Sequence, residues 1–298
     1  MIHNSIEIKA WMNFPKFMGN KVLDNILRRS NRNFGKAFAA DSGAIYWDAK
    51  SLGLDHVEAF RLASHDVQNH ILRDCTQSLM REAFAIERAG MAFAAKMVLL
   101  SDDLESRILY SQFGFQEASH YQAIAAYIPA EPRGLDEDPF LALLKDAIER
   151  GGRMSLTLII QVLLEGWGLL HYKKLAKDCL SAELAEEFRL IVQDEAHHHG
   201  SGIALLDLSA MDTEERSLAL QTIRSLLGMV AVGPWSIASI LCKHLAPDDD
   251  PRRFYPELRH DEDTSLKLQQ LKRLLLAGGA QSLVEILDNE NMFLLERV

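Results

Sequence analysis

Two short stretches of the 298-residue chain repeat one arrangement of carboxylate and imidazole: Glu117-Ala-Ser-His120 and Glu195-Ala-His-His198. Side chains three apart share one face of a helix, so each pair can grip one edge of a metal ion. A lone Glu-x-x-His is weak evidence. A third copy, Glu257-x-x-His260, follows Pro256 in a charged stretch with no partner helix, and it reads as chance. The other two have partners. Glu87 lies thirty residues before Glu117, and Glu165 lies thirty before Glu195. The midpoints fall at Asp102 and Leu180, beside two sequence signals for helix starts. Residues equidistant from the turn of an antiparallel hairpin sit at one height, so the four glutamates are expected in a single layer.

The residue types suit a particular chemistry. Two iron ions roughly 3.5–4 Å apart require bridging and terminal carboxylates, and one imidazole each leaves positions open for dioxygen. Four Glu and two His supply that set. The competing possibility is that these glutamates line helix edges, paired with Arg or Lys. Against it stand their apolar flanks: Met80, Phe84, Met91 and Ala94 around Glu87, and Phe188, Ile191 and Gly202 around Glu195. Buried carboxylates facing one another are unstable without cations. Glu87 and Glu165 both open Glu-x-x-Gly, and glycine inside a helix costs about 1 kcal/mol relative to Ala. Gly90 and Gly168 therefore mark either room beside the metals or close helix packing.

Positioning such a site requires helices, and the chain is patterned for them. Apolar residues recur at three- and four-residue steps, and no sustained alternation suggests strands. The expectation is a single all-α domain over 1–298: a helical section over 1–72, a four-helix bundle over 73–208, and a C-terminal helical extension over 209–298. The bundle helices are expected at 73–100, 103–128, 153–179 and 182–208. Asp102 with Glu105 reads as a capping box, Ser181 as a cap, and Ser209–Asp212 as a further helix start. Residues 129–139 read as a Pro-bounded loop and 246–264 as an exposed linker.

Composition limits the partners. A net charge of −10 without a Lys/Arg cluster argues against nucleic acid. Cys75, Cys179 and Cys242 form no Cys-x-x-Cys, which fits a reducing compartment and excludes a Cys₄ iron site within the chain. The first residues lack the pattern of a signal peptide, so a cytoplasmic protein is expected. The uncharged stretch 225–242 approaches a membrane span in length, but Gly233-Pro234 divides it, and it reads as two buried helices rather than a span.

The pattern Glu87…Glu117-x-x-His120…Glu165…Glu195-x-x-His198 resembles the ferritin-like di-iron carboxylate superfamily over roughly residues 75–208. The resemblance implies a ferritin-like four-helix bundle with added N- and C-terminal helices, holding two Fe²⁺/Fe³⁺ ions or a Mn/Fe pair. Glu117 and Glu195 would bridge the ions, Glu87 and Glu165 would be terminal, and His120 and His198 would each bind one. Asp194 resembles the Asp that, in bacterial multicomponent monooxygenases and ribonucleotide reductase small subunits, hydrogen-bonds the metal-bound His of the opposite helix. The matching position before Glu117 is Gln116, so the symmetry is incomplete. Within the run His197-His198-His199, only His198 is in phase with Glu195; His197 is turned about 100° away, and His199 reads as packed or solvated at the edge.

The resemblance implies an oxidoreductase that activates O2 to oxidise or oxygenate a small apolar or amphipathic substrate, compatible with an external electron donor (a reductase or ferredoxin) and with a homo-oligomer. The alternative is iron handling: a ferroxidase or peroxide-scavenging protein. Length favours the oxygenase, because the added helices can wall off a dry pocket. A third possibility is a helical scaffold whose metal is structural or absent. Similar sites occur in aldehyde-deformylating oxygenases, desaturases, N-oxygenases and a hydroxylase of modified transfer RNA. Arylamine N-oxygenases place a third His where this chain has Ile191.

Overall fold

The computed structural model describes residues 21–30, 41, 43–130, 138–258 and 261–295; the first twenty residues, residues 131–137 of the loop expected over 129–139, and His260 lie outside the described residues. It is all-α, with no strand among the described residues. Helix α1 spans Lys21–Ser30, and the short α2 spans Glu58–Leu62. Between them Trp47 is buried, its indole donating to the Leu175 carbonyl at 3.0 Å. The Leu180 amide donates to the Tyr46 carbonyl at 2.8 Å. This segment therefore clasps the turn between the last two core helices.

Four helices form the centre. Helix α3, His65–Leu100, starts where the Ser64 side chain accepts from the Val67 amide. That is eight residues earlier than the expected 73, since the Ser64 cap and the buried Ile71 extend the helix and its apolar face upstream. Helix α4 is Leu104–Ala125. Its cap is Asp103, whose carboxylate accepts from the Ser106 amide, rather than the expected Asp102 with Glu105. Helix α5, Pro139–Arg150, is capped by Asp138 and opened by proline. The buried Lys96 of α3 donates to the Ile148 and Glu149 carbonyls at 2.7 and 3.0 Å, a cation satisfying the negative end of α5.

The third core helix runs continuously over Arg153–Asp178 in three parts. These are α6 (Arg153–Leu156), a π-helical segment (Thr157–Glu165) and α7 (Gly166–Asp178). The periodicity had suggested a uniform α-helix here; the π segment is a departure from it. Helix α8, Ala182–Leu205, is capped by Ser181 as expected. Then α9 (Thr213–Val232), capped by Asp212, meets α10 (Trp235–Leu245) at Gly233, whose φ of 97° suits glycine alone.

The stretch 246–264 is not an exposed linker. It holds a 3₁₀ turn, the short α11 (Tyr255–Leu258) and the start of α12 (Asp261–Ala277). Its charged composition conceals Phe254 and Leu258, which pack with Leu54, Ile71, Ala238 and Leu241 in one apolar cluster. Glu257 there accepts the Glu58 backbone amide at 2.7 Å, supporting the start of α2. Helix α13, Gln281–Asn289, is the last helix among the described residues.

Two further apolar clusters flank the middle of the core helices. One contains Phe93, Tyr110, Phe113, Leu163 and residues of α9, α12 and α13; the other contains Phe84, Tyr172, Phe188 and Ile191. The acidic layer lies between them. Among the described residues one helix, Arg153–Asp178, is long and apolar enough to cross a membrane, and most of it is buried inside the protein. Helices α9 and α10 meet the same test only together, and they bend by 41° at their junction.

Candidate metal centre

The layer assembles because the two hairpins match. The α3–α4 turn and the α7–α8 turn bring Glu87 level with Glu117, and Glu165 level with Glu195. All six named side chains meet there. Glu87, Glu117, His120 and Glu195 form one group, and Glu117, Glu165, Glu195 and His198 form another, each with its donor atoms within 4.8 Å of one another. Glu117 and Glu195 belong to both groups. His198 is fully buried and Glu87 is 1% exposed.

Each imidazole turns Nδ1 inward. His120 Nδ1 lies 3.2 Å from Glu87 Oε2 and 3.6 Å from Glu195 Oε1. His198 Nδ1 lies 3.2 Å from Glu117 Oε1, 3.8 Å from Glu195 Oε2 and 3.9 Å from Glu165 Oε1. The ring centroids are 6.4 Å apart. Each Nε2 turns outward. Asp194 reaches from α8 to α4, where its Oδ2 accepts from His120 Nε2 at 3.0 Å. On the other side His198 Nε2 meets Gln116 Oε1 at 3.0 Å, and Gln116 Nε2 donates to Asp194 Oδ1 at 2.8 Å. Asp194 and Gln116 thus join the outer edges of both imidazoles into one chain of hydrogen bonds.

The electrostatics without a cation are unfavourable. Burial, followed by the charges of the facing carboxylates, holds Glu117, Glu165 and Glu195 well above the usual carboxylate range. Burial alone would depress His120, but its hydrogen bonds to Asp194 and Glu87 outweigh that and carry it up to about 11. His198 is pushed down to about 4 by burial and by the neighbouring His120 charge.

Within the layer two buried atoms have no hydrogen-bond partner: His198 Nδ1, which approaches Glu117 without hydrogen-bond alignment, and Glu165 Oε2. A lone pair and a carboxylate oxygen left unsatisfied in a buried layer of four glutamates fit a pair of divalent cations. The donor set, carboxylate oxygen with one imidazole nitrogen per position, suits iron or manganese.

The glycines divide. A Cβ on Gly90 would fall 2.2 Å from Glu117 Oε2, so Gly90 is what admits Glu117 to the layer. Gly168 faces open space, with nothing within 4 Å, and neither room for a metal nor tight packing accounts for it. The close glycines of the second hairpin are Gly166, against His199 and Leu274, and Gly202, against Gln161. His197 is exposed. His199 is half-buried and held by the Gln161 carbonyl at 2.9 Å.

Two polar residues touching the centre escaped notice in the sequence. The Tyr172 hydroxyl donates to Glu87 Oε1 at 2.5 Å. Gln161, in the π segment, donates to the His198 carbonyl at 3.1 Å and to Ser201 Oγ at 3.2 Å, and accepts from the Tyr110 hydroxyl at 2.9 Å. Both were within reach of the same spacing logic: Tyr172 is seven residues after Glu165 and Gln161 four before it, positions that share a face on a regular helix. Glu82, the nearest rival to Glu87 on α3, belongs to neither metal group. Comparison with family models, curated proteins and solved structures finds no match for this chain.

Proposed function

We propose that this chain is a ferritin-like, non-haem di-iron enzyme that activates O2 to oxidise or oxygenate a small apolar or amphipathic organic substrate. One observation carries the proposal: two overlapping groups of buried donors share Glu117 and Glu195, with His198 Nδ1 and Glu165 Oε2 unsatisfied inside them. The ions, iron or a Mn/Fe pair, would be held by Glu87, Glu117, His120, Glu165, Glu195 and His198. When bound they would supply redox equivalents and open coordination positions to dioxygen. The chain's own residues do the rest. Asp194 and Gln116 fix both imidazoles with Nδ1 inward, Tyr172 orients Glu87, and the aromatic and aliphatic clusters on either side exclude water.

The test begins with metal-stripped protein loaded anaerobically with Fe²⁺. Two irons per chain are expected, followed by a spectral change on O2 exposure whose decay quickens with a matching substrate from a panel of fatty aldehydes, acids and amines. Binding of fewer than two ions overturns the site. Oxidation of many Fe²⁺ equivalents per chain, with no response to any organic compound, overturns the oxygenase in favour of iron handling.

A further inference from the structure

The chain divides sharply by charge. Residues 1–40 carry four Lys and three Arg against Glu7 and Asp24, a net charge of +5. The whole chain is −10, so the remaining 258 residues hold −15. Helix α1, Lys21–Ser30, lies inside the basic stretch and is strongly amphipathic. Val22 with Ile26, and Leu23 with Leu27, are i, i+4 pairs that line one side of it. At about 100° per residue, the positions of Lys21, Asp24, Asn25 and Arg28 fall on the other. The apolar side faces solvent: Val22 is 70% exposed, Leu23 50% and Ile26 56%. A single exposed aliphatic needs no explanation, but three side by side on one helix mark a surface that meets something.

Three occupants compete for it. The chain's own core does not take this face, because its side chains stay in solvent in the folded protein. A second copy of the chain asks for more than the face offers. Three aliphatic side chains bury roughly 300 Å² between them, whereas a stable protein interface takes about 800 Å² from each partner. A lipid bilayer makes no such demand. It accepts a short apolar face at the boundary of headgroups and acyl chains, and anionic headgroups attract the surrounding Lys and Arg. The charge division also sets the orientation, since an anionic surface attracts the first 40 residues and repels the rest.

We propose that α1 is a surface anchor that seats the protein on an anionic phospholipid bilayer. Val22, Leu23 and Ile26 enter the boundary region, and the acidic remainder of the chain is held away from the surface. The inference does not rest on the metal centre. It would bring the proposed oxygenase to the place where amphipathic compounds concentrate. Each Lys or Arg near such a surface strengthens binding by about fivefold. The attraction fades beyond about 10 Å in 0.1 M salt, so binding is expected to be salt-sensitive.

The experiment is flotation of the full chain with vesicles, either of phosphatidylcholine alone or with about 30% phosphatidylserine. Each is run at about 0.05 M and about 0.5 M salt. The wild type is expected to float with the anionic vesicles at low salt, at least about 10-fold better than with the neutral ones, and to be released at high salt. Leu23→Asp with Ile26→Asp should abolish flotation. Lys21→Gln with Arg28→Gln and Arg29→Gln should weaken it by about 100-fold. Both variants should melt with the wild type, because the substituted side lies outside the core; if the first melts lower, Ile26→Ser carries the same test. Absence of flotation with anionic vesicles at low salt overturns the proposal. So does equal flotation with both lipids, or undiminished flotation of either variant. A wild-type dimer in analytical ultracentrifugation that Leu23→Asp with Ile26→Asp splits would overturn it in favour of a second copy.

Discussion

The α3–α4 hairpin and the α7–α8 hairpin contribute nearly the same residues to the centre by different means. In the first, two regular helices lie close, and Gly90 opens the space that Glu117 occupies. In the second, the glutamate arrives at the end of a π segment, and the close glycines, Gly166 and Gly202, serve packing against His199, Leu274 and Gln161. A repeated sequence pattern has thus been kept at the ligand atoms and released behind them. Holding a metal, as proposed, would constrain the donors, while each surrounding set of contacts would only have to present them.

Removing a ligand that both halves share has the largest expected effect. Glu117→Ala should abolish binding of both ions, because its carboxylate belongs to both groups. Elemental analysis checks this: two ions in the wild type and none in the variant. Thermal melts supply an independent sign. Ions present at 100 times their dissociation constant stabilise the wild type by about 2.7 kcal/mol, a rise of roughly 5 °C or more. The variant should show no such rise. Without metal it should melt no lower through electrostatics, since one of four mutually repelling carboxylates is gone. A metal-dependent rise in Glu117→Ala would show that Glu195, the other carboxylate common to both groups, is enough to hold ions in the layer.

Gly90→Ala should come next. The new methyl would lie 2.2 Å from Glu117 Oε2 and 2.5 Å from its carboxyl carbon, so Glu117 must leave the layer or α3 must move from α4. Loss of at least one ion at fixed helical content, by circular dichroism with metal analysis, is the expected result. Full binding of two ions would mean that the close approach of these helices is not required.

Glu82 and Glu87 share helix α3 but not a face of it. Glu82 lies five residues before Glu87, about 140° around α3 from it. Glu82→Gln should keep both ions, and Glu87→Gln should lose at least one. The same substitution has a pH signature. Burial first, and the Asp138 charge second, push the Glu82 carboxyl up to about 7. A carboxyl raised in the fold leaves stability intact below its unfolded value and lowers it as pH rises through the folded one. Glu82→Gln should therefore match the wild type near pH 4 and melt higher above pH 7. An equal offset at both values would place the effect in packing rather than charge.

How much of this was legible in the sequence depends on which interactions leave a residue-type signature. The thirty-residue spacing of Glu87 to Glu117 and of Glu165 to Glu195 is a consequence of hairpin geometry, and it led to the six residues that the structure brings together. Caps at Ser181 and Asp212 were legible because a short oxygen-bearing side chain must answer free amides. At α4 the capping-box pattern points to Asp102 with Glu105, one residue too early; the hydrogen bond to Ser106 selects Asp103. The π segment left no signature, since a shift from i−4 to i−5 pairing needs no particular residue and every side chain of Leu158–Leu163 is buried. The stretch 246–264 misled because its charges outnumber Phe254 and Leu258, which carry its packing. The position of Gln161 four residues before Glu165 places it on the ligand face, but its partners leave no spacing signature, because they join three helices through a backbone carbonyl and two hydroxyls.

The smallest expected effect is at Gly168, and its sign is the informative part. Gly90 and Gly168 occupy the same place in the repeated Glu-x-x-Gly, yet a methyl added at 168 meets nothing within 4 Å. The residue lies inside α7 with no positive φ, so alanine suits the backbone already present. Exchanging glycine for alanine in a helix interior stabilises by about 1 kcal/mol, because glycine loses more freedom on folding. Gly168→Ala should therefore raise the melting temperature by roughly 2–4 °C while two ions still bind, the opposite of Gly90→Ala. A gain in stability with slower oxidation of a substrate would show that the open space beside Gly168 is used by the reaction, and that the second glycine is kept for function. A loss of stability would mean that the helix carries a contact at this position which its open surroundings do not account for.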